Sequence, residues 1–284
     1  MTRIALVTDS SSDLTREIYQ ENGITVVPLT VHFGDESFID TVEITSSEFF
    51  HKLRSSQVMP RTSQPSPADF AAVYERLLES HDFIFSVHIS SKMSGTVQSA
   101  QIAAETVDPD LIEVVDGRAV SLVTGLMTLA AAEAVRQGKG VDDVRRTIRH
   151  VMDNFGLYWT LDTLEYLQKN GRIGRATAFI GGLLSIKPIM SIEEGEIAGV
   201  ERVRGSNRVF PRILELMHSR IRPGSPIDVI VLHADDEPRG KRWLADVQSE
   251  FNCRRTWLTE CGPIVGTHAG PGTIAVAWVE PMQG

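Results

Sequence analysis

The chain has 284 residues, 42% of them hydrophobic and 23% charged, which excludes a disordered chain and suits two domains that each bury a core. Its formal net charge of -9 argues against a general binder of nucleic-acid backbones, whose affinity is built from clustered cations. Before Thr8 and Asp9 the apolar run Ile4–Val7 is far too short for a signal-peptide core, so no export is expected and the cytoplasm is the expected location.

The first strand is expected at Arg3–Thr8, followed by the turn Asp9-Ser10-Ser11-Ser12-Asp13 and a helix from Leu14 to Asn22 closed by Gly23. Ile24–Phe33 is β-branched and reads as one strand, with Pro28 marking an edge or a bend. Thr45 with Glu48 opens a helix through a capping box. Ser66 as N-cap with Pro67 at the first helical position and Asp69 at the third opens another, leaving Thr62 and Ser63 in the loop ahead of it. The apolar run Phe83–Ile89 reads as a strand, Val97–Val107 as a helix, and Leu111–Val115 as a further strand. Between the first two lies Ser90-Ser91-Lys92-Met93-Ser94-Gly95-Thr96, where hydroxyls and a glycine meet the unpaired N–H groups of a helix start. That combination seats a small anion, although Ser and Thr are also ordinary caps.

Ala119–Ala132 carries no charge, yet its roughly 14 residues fall short of the roughly 20 that a bilayer requires, so it reads as a buried helix continuing to Gln137. A helix from Gly140 to about Phe155 completes an alternation of strands and helices that predicts a parallel sheet covered on both faces, with ligands beyond the carboxyl ends of its strands. The pattern then changes. Leu161, Leu164 and Leu167 suggest a helix ended by Gly171, and Ile186–Ile192 with Ile197–Arg204 a hairpin turning at Glu193–Glu196. A helix Arg208–Ile221, strand Asp228–Ala234, helix Arg239–Phe251, strand Arg255–Thr259 and strand Thr273–Val279 then make a mixed sheet. The expected division is a parallel-sheet α/β/α domain over 1–157 and a mixed-sheet α/β domain over 158–284, with a ligand between or near the two. If a strand joins the only two cysteines, Cys253 and Cys261, their thiols stand on the order of 25 Å apart, so both are expected to be reduced.

Three hydroxyl-bearing segments could carry chemistry: Thr62-Ser63, Ser94-Gly95-Thr96, and the run from Gly262 to Gly272. The last packs four glycines and two prolines into a tight bend that would fix His268 ahead of a strand. Ser94 with His268 could serve as nucleophile and base of an esterase or thioesterase, but there is no Gly-x-Ser-x-Gly elbow and no identifiable acidic third member. Phosphate-binding loops and metal-ligand spacings are also missing from the sequence, and Asp9, Asp13 and Asp40 read as turn or cap residues, so neither a metal nor a cofactor is expected.

Thr8-Asp9-Ser10, Thr62-Ser63-Gln64-Pro65-Ser66, Ser94-Gly95-Thr96, Asp162–Leu167 running into Gly171-Arg172-Ile173, Ile186-Lys187-Pro188-Ile189 and the Gly262–Gly272 run together resemble the DegV family over nearly the whole chain. The resemblance implies a bacterial fatty-acid-binding protein of two α/β domains, with the acyl tail buried and the carboxylate near the domain interface. It implies a carrier that does no chemistry itself and presents a long-chain fatty acid to a fatty acid kinase, which forms an acyl phosphate for phospholipid synthesis. Transient contact with a membrane surface would accompany that role. Carried over, Thr62 and Ser94 would hold the carboxylate, with Ser63, Gly95 and Thr96 beside them and His268 completing the network. Arg172 and Arg204 would lie near the head group or face the kinase, although Arg172 just past a helix end is also favourable against the helix dipole. Hydroxyls and helix-end amides can match a buried carboxylate without a full countercharge. Sixteen or so methylenes at about 0.8 kcal/mol each would give a gross gain above roughly 10 kcal/mol, so the tail would dominate affinity. The Ala119–Ala132 helix, Ile180, Leu183 and Leu184 are the expected tunnel walls.

Overall fold

The computed structural model describes residues 2–179 and 186–282, so the expected wall residues Ile180, Leu183 and Leu184 lie outside the described residues. Strands β1 (Ile4–Asp9), β2 (Ile24–Val27), β6 (Phe83–His88) and β7 (Ile112–Asp116) form a parallel sheet in the order β2-β1-β6-β7. Every residue of β1 is buried, as a strand covered on both faces requires. Helices α3 (Pro67–Leu78) and α4 (Thr96–Val107) cover one face, where Phe70, Tyr74, Ala100 and Ala103 pack with Val7 and Ile84. Short helix α1 (Arg16–Glu21) links β1 to β2. The chain leaves β1 toward β2 on one side and reaches β6 on the other, so the topological switch point opens at Asp9 and Ile89, where such sheets bind ligands.

Residues 24–33 do not make one strand. They split at Pro28 into β2 and β3 (Thr30–Phe33), which belong to different sheets. Proline cannot donate to a ladder, and the next amide, Leu29 N, donates to Ser10 Oγ at 3.0 Å instead of to a strand. Strand β3 is the centre of a small antiparallel sheet with β4 (Glu36–Ile39) and β5 (Arg61–Ser63). Helix α2 (Ser46–Ser55) lies between β4 and β5 in sequence, begun by the expected capping box of Thr45 and Glu48.

The second large sheet is mixed, with the order β10-β9-β8-β13-β11-β12. Its strands are β8 (Gly156–Thr160), β9 (Ile186–Glu193), β10 (Glu196–Arg204), β11 (Ile227–His233), β12 (Cys253–Glu260) and β13 (Ile274–Val279). The expected boundary at residue 157 falls inside β8. One face packs on α8 (Val209–Arg220) and α9 (Glu237–Glu250) through residues such as Val229, Val276 and Trp278. The other face meets α5 (Leu122–Arg136), which also packs on β1 and β6. A helix held between two sheets is apolar all round, and α5 carries no charge before Glu133. Helix α6 (Val141–Asn154) packs against α5 and shows water its charged side.

Two local expectations change. The leucine-spaced helix is only α7 (Glu165–Lys169), with Leu161 and Leu164 buried on the approach to it. The glycine-rich run is not simply a turn, because Pro263–Ala269 forms helix α10 with the proline at its first position. Cys253 and Cys261, at either end of β12, are both free thiols. Among the described residues no helix is long and apolar enough to cross a membrane, and no group of three or more His, Cys, Asp or Glu side chains could hold a metal ion.

Candidate ligand-binding site

Between the inner face of the mixed sheet, the start of α5 and α10 lies a cavity of about 110 Å³ that opens to solvent. Most of its lining is apolar, for example Leu29, Ile89, Leu122, Trp159, Leu232 and Ile264. The polar lining residues are Thr62, Gln64, Ser94, Ser121, Arg172, His268 and Thr273. Two of their hydroxyl protons are already committed: Ser121 donates to Asp13, and Thr273 to the Ala269 carbonyl at 3.0 Å. The other five form one group.

Thr62 enters this group from β5. Strand alternation turns Thr62 and Gln64 toward the cavity, while Ser63 points outward and shares a 2.9 Å hydrogen bond with His32 Nε2. Thr62 is therefore not a loop residue. Its hydroxyl lies 3.0 Å from His268 Nε2. Ser94 stands between β6 and α4, its Oγ 2.8 Å from the Thr96 hydroxyl and accepting the Thr96 N–H at 3.3 Å. Thr96 is fully buried and, like Gly95, is not part of the cavity wall. Gly95 has a steric role: a Cβ there would come 2.3 Å from the Gln64 amide nitrogen, so only glycine lets Gln64 lie across the start of α4. The loop is braced from the other unit, as Ser90 Oγ donates to the Gly195 carbonyl at 2.8 Å in the β9–β10 turn.

Arg172 reaches the same loop with its Nε donating to the Met93 carbonyl at 3.3 Å and Nη1 to the Asn170 carbonyl at 2.9 Å. Its side chain is largely exposed at the cavity mouth. Arg204 ends β10, opposite Ile186, and does not line the cavity. Of the residues expected at the site, the structure places Thr62, Ser94, His268 and Arg172 on the wall of one cavity, while Ser63 and Arg204 lie outside it. Gln64 and Trp159 were missed as lining residues. The signal for Gln64 was its two-residue spacing from Thr62, which only a strand turns into a shared face.

His268 sits near the end of α10, and burial pushes its imidazole down to about 4, with Arg172 adding a smaller repulsion. The ring is therefore neutral at neutral pH. Its Nδ1 is buried and has no hydrogen-bond partner among the described residues, a costly arrangement in an interior. No hydrogen bond joins Ser94 to His268, whose Nε2 is taken by Thr62, so the nucleophile–base pair that a hydrolase needs is not made. What the group offers is hydroxyls, an amide, a neutral imidazole and one guanidinium around the end of an apolar space.

The position of α10 depends on Asp13, whose Oδ1 accepts the Gly262 N–H at 3.0 Å and whose Oδ2 accepts from Ser121 just before α5. Asp13 is buried, which pushes its carboxyl up to about 8. Asp9 closes the switch point, accepting from Ile89 N at 3.1 Å and sharing a 2.9 Å contact with His88 Nδ1.

The architecture defines a class: paired α/β units around an apolar cavity with a small set of polar side chains on its wall. The chain belongs to the DegV family, whose family model, described as an uncharacterised protein family, matches residues 3–281. It is 36% identical to a DegV domain-containing protein of Caldanaerobacter subterraneus over 280 residues, covering 99% of this chain and 100% of the relative. Among solved structures, it superposes on a DegV family protein of Thermus thermophilus, reported with fatty acid binding, with a TM-score of 0.93, 37% identity and coverage of 98% of this chain and 99% of the other. DegV of Bacillus subtilis, described as a fatty acid binding protein, matches with a TM-score of 0.87, 30% identity and coverage of 99% and 100%.

Proposed function

We propose that this protein binds one long-chain fatty acid, with the tail in the apolar cavity and the carboxylate at Thr62, Ser94 and His268. The observation that carries this reading is the cavity itself, apolar along most of its wall, with Thr62, Gln64, Ser94, Arg172 and His268 among its few polar lining residues. In this reading the Ser94 and Thr62 hydroxyls donate to the carboxylate, and the neutral His268 ring donates from Nε2 to the Thr62 oxygen, which turns that hydroxyl's proton toward the ligand. Gly95 and Thr96 hold Ser94 in place from behind. Arg172 adds positive charge at the mouth without burying a full ion pair. The fatty acid relatives from Thermus and Bacillus support the ligand class.

The protein itself does no chemistry in this proposal. It works in the cytoplasm as a carrier that presents the carboxylate to a fatty acid kinase for acyl phosphate formation, touching the membrane surface only in passing, with Arg204 facing the partner. The test is to mix the fatty-acid-loaded protein with ATP and a bacterial fatty acid kinase and to follow acyl phosphate. ATP consumption that depends on the loaded protein is expected. Ser94→Ala and Thr62→Ala should slow transfer by about tenfold or more, the worth of a hydrogen bond to a charged group, yet weaken binding less because the tail supplies most of the affinity. Equal losses in binding and transfer would contradict the assignment.

A further inference from the structure

The cavity wall contributed by the mixed sheet is not uniform. Along β13 the side chains alternate, with Ile274, Val276 and Trp278 packed on the α8 and α9 side and Ala275, Ala277 and Val279 on the α5 side. The ladder places Trp159 of β8 and Leu232 of β11 directly beside Ala275, one on each flank. Leu157 and Ile230 flank Ala277 in the same way. A face otherwise built of large side chains is therefore notched along one interior strand by two methyl groups. Neighbouring strands stand about 4.8 Å apart, so the notch is one strand wide between a Trp and a Leu.

The cavity uses only part of this notch. Ala275 lines it together with Trp159, Leu157 and Leu232, whereas Ala277 is fully buried and outside it. Above the notch, Leu122 of α5 lines the cavity, while Leu126 and Leu129, on the next turns of the same face, are buried away from it. The open space thus ends on β13 between Ala275 and Ala277. Thr273, two residues before Ala275, is tied to Ala269 beside His268, so the notch leads away from the polar cluster.

We infer that Ala275, in the notch between Trp159 and Leu232, is the specificity-determining residue that sets the length of acyl tail the cavity accepts. This inference rests on the fatty-acid reading above. Interiors are packed near crystal density, so each carbon added at position 275 takes the place of about one methylene of the ligand. Ala275→Leu adds three carbons to the notch and shortens the tail that fits by about two to four carbons. Leu232→Ala opens the same flank and admits a longer tail.

The test compares wild type, Ala275→Leu and Leu232→Ala produced in one host, extracted with organic solvent, and assayed by mass spectrometry for bound acid and by competition with straight-chain acids from dodecanoic to eicosanoic. Wild type should carry a long-chain acid, Ala275→Leu should shift to acids at least two carbons shorter, and Leu232→Ala should shift the other way. Wild-type chain lengths at wild-type occupancy in both variants would overturn the assignment of Ala275 and leave the carrier reading standing. A folded Ala275→Leu that takes no acid of any length would also overturn it, and should that variant not fold, Leu232→Ala alone decides. A wild type that neither carries nor takes up fatty acid would instead overturn the reading beneath it.

Discussion

His268 shows how strongly one site can be set by its surroundings. Buried beside Thr62, its imidazole is held down to about 4, whereas in the unfolded chain it titrates near its ordinary 6.5. Between those values the unfolded state binds a proton that the native state does not, so acidification through this window lowers stability, by at most about 1.4 kcal/mol per pH unit. The contribution is fully present above about pH 6.5. A histidine-resolved NMR titration of the ligand-free protein should show the His268 ring still neutral at pH 5.5, and protonation above pH 6 would contradict the burial argument. Thr62, Ser94 and His268 were legible because hydroxyls and a histidine stood out in segments with unusual turn chemistry. Ser63 looked equivalent to Thr62 in the sequence, yet strand alternation sends it to the opposite face, toward His32. Trp159 and Ala275 gave no signal, since an apolar residue facing a cavity reads the same as one in a filled core.

Helix α10 carries His268 and owes its position to close contacts that composition alone does not reveal. A Cβ on Gly266 would stand 2.8 Å from a ring carbon of Phe49 and 3.0 Å from one of Phe50, both rings fully buried. Alanine gains about 1 kcal/mol of helix propensity over glycine, but overpacking a filled core costs about 1–3 kcal/mol, and rings this deeply buried have little room to yield. Gly266→Ala should therefore destabilise the protein by up to about 2 kcal/mol in a denaturant titration. A variant as stable as wild type or more so would show that α10 is not pressed against α2. The glycines of this run read as turn residues in the sequence, where a Gly-and-Pro-rich stretch gives no sign that its seven residues Pro263–Ala269 form a helix that brings Gly266 against two phenylalanines. The capping box of α2 and the Ser66 N-cap of α3 were legible to the residue because caps are local chemistry. The split of residues 24–33 was foreshadowed only by Pro28, since which sheet receives each half depends on partners far along the chain.

On the scale of the whole molecule, both large sheets press on α5, and Asp13 joins the starts of α5 and α10 through Ser121 and Gly262. The cavity lies where these pieces meet, so the ligand would touch residues from Leu29 to Ala275. The parallel and mixed sheets were legible from strand–helix alternation and from the hairpin pattern. The small β4-β3-β5 sheet was not, because its strands are three or four residues long and partly exposed, too short to show a periodicity. That sheet is what delivers Thr62 to His268 across 206 residues of sequence.

An acyl ligand in the cavity is detected by extracting the purified protein with organic solvent and quantifying the released lipid against protein by mass spectrometry, then titrating the stripped protein with hexadecanoic acid. Close to one long-chain free fatty acid per chain should be released, with rebinding at the same ratio. A protein that comes off lipid-free and takes up no hexadecanoic acid would contradict an acyl site there.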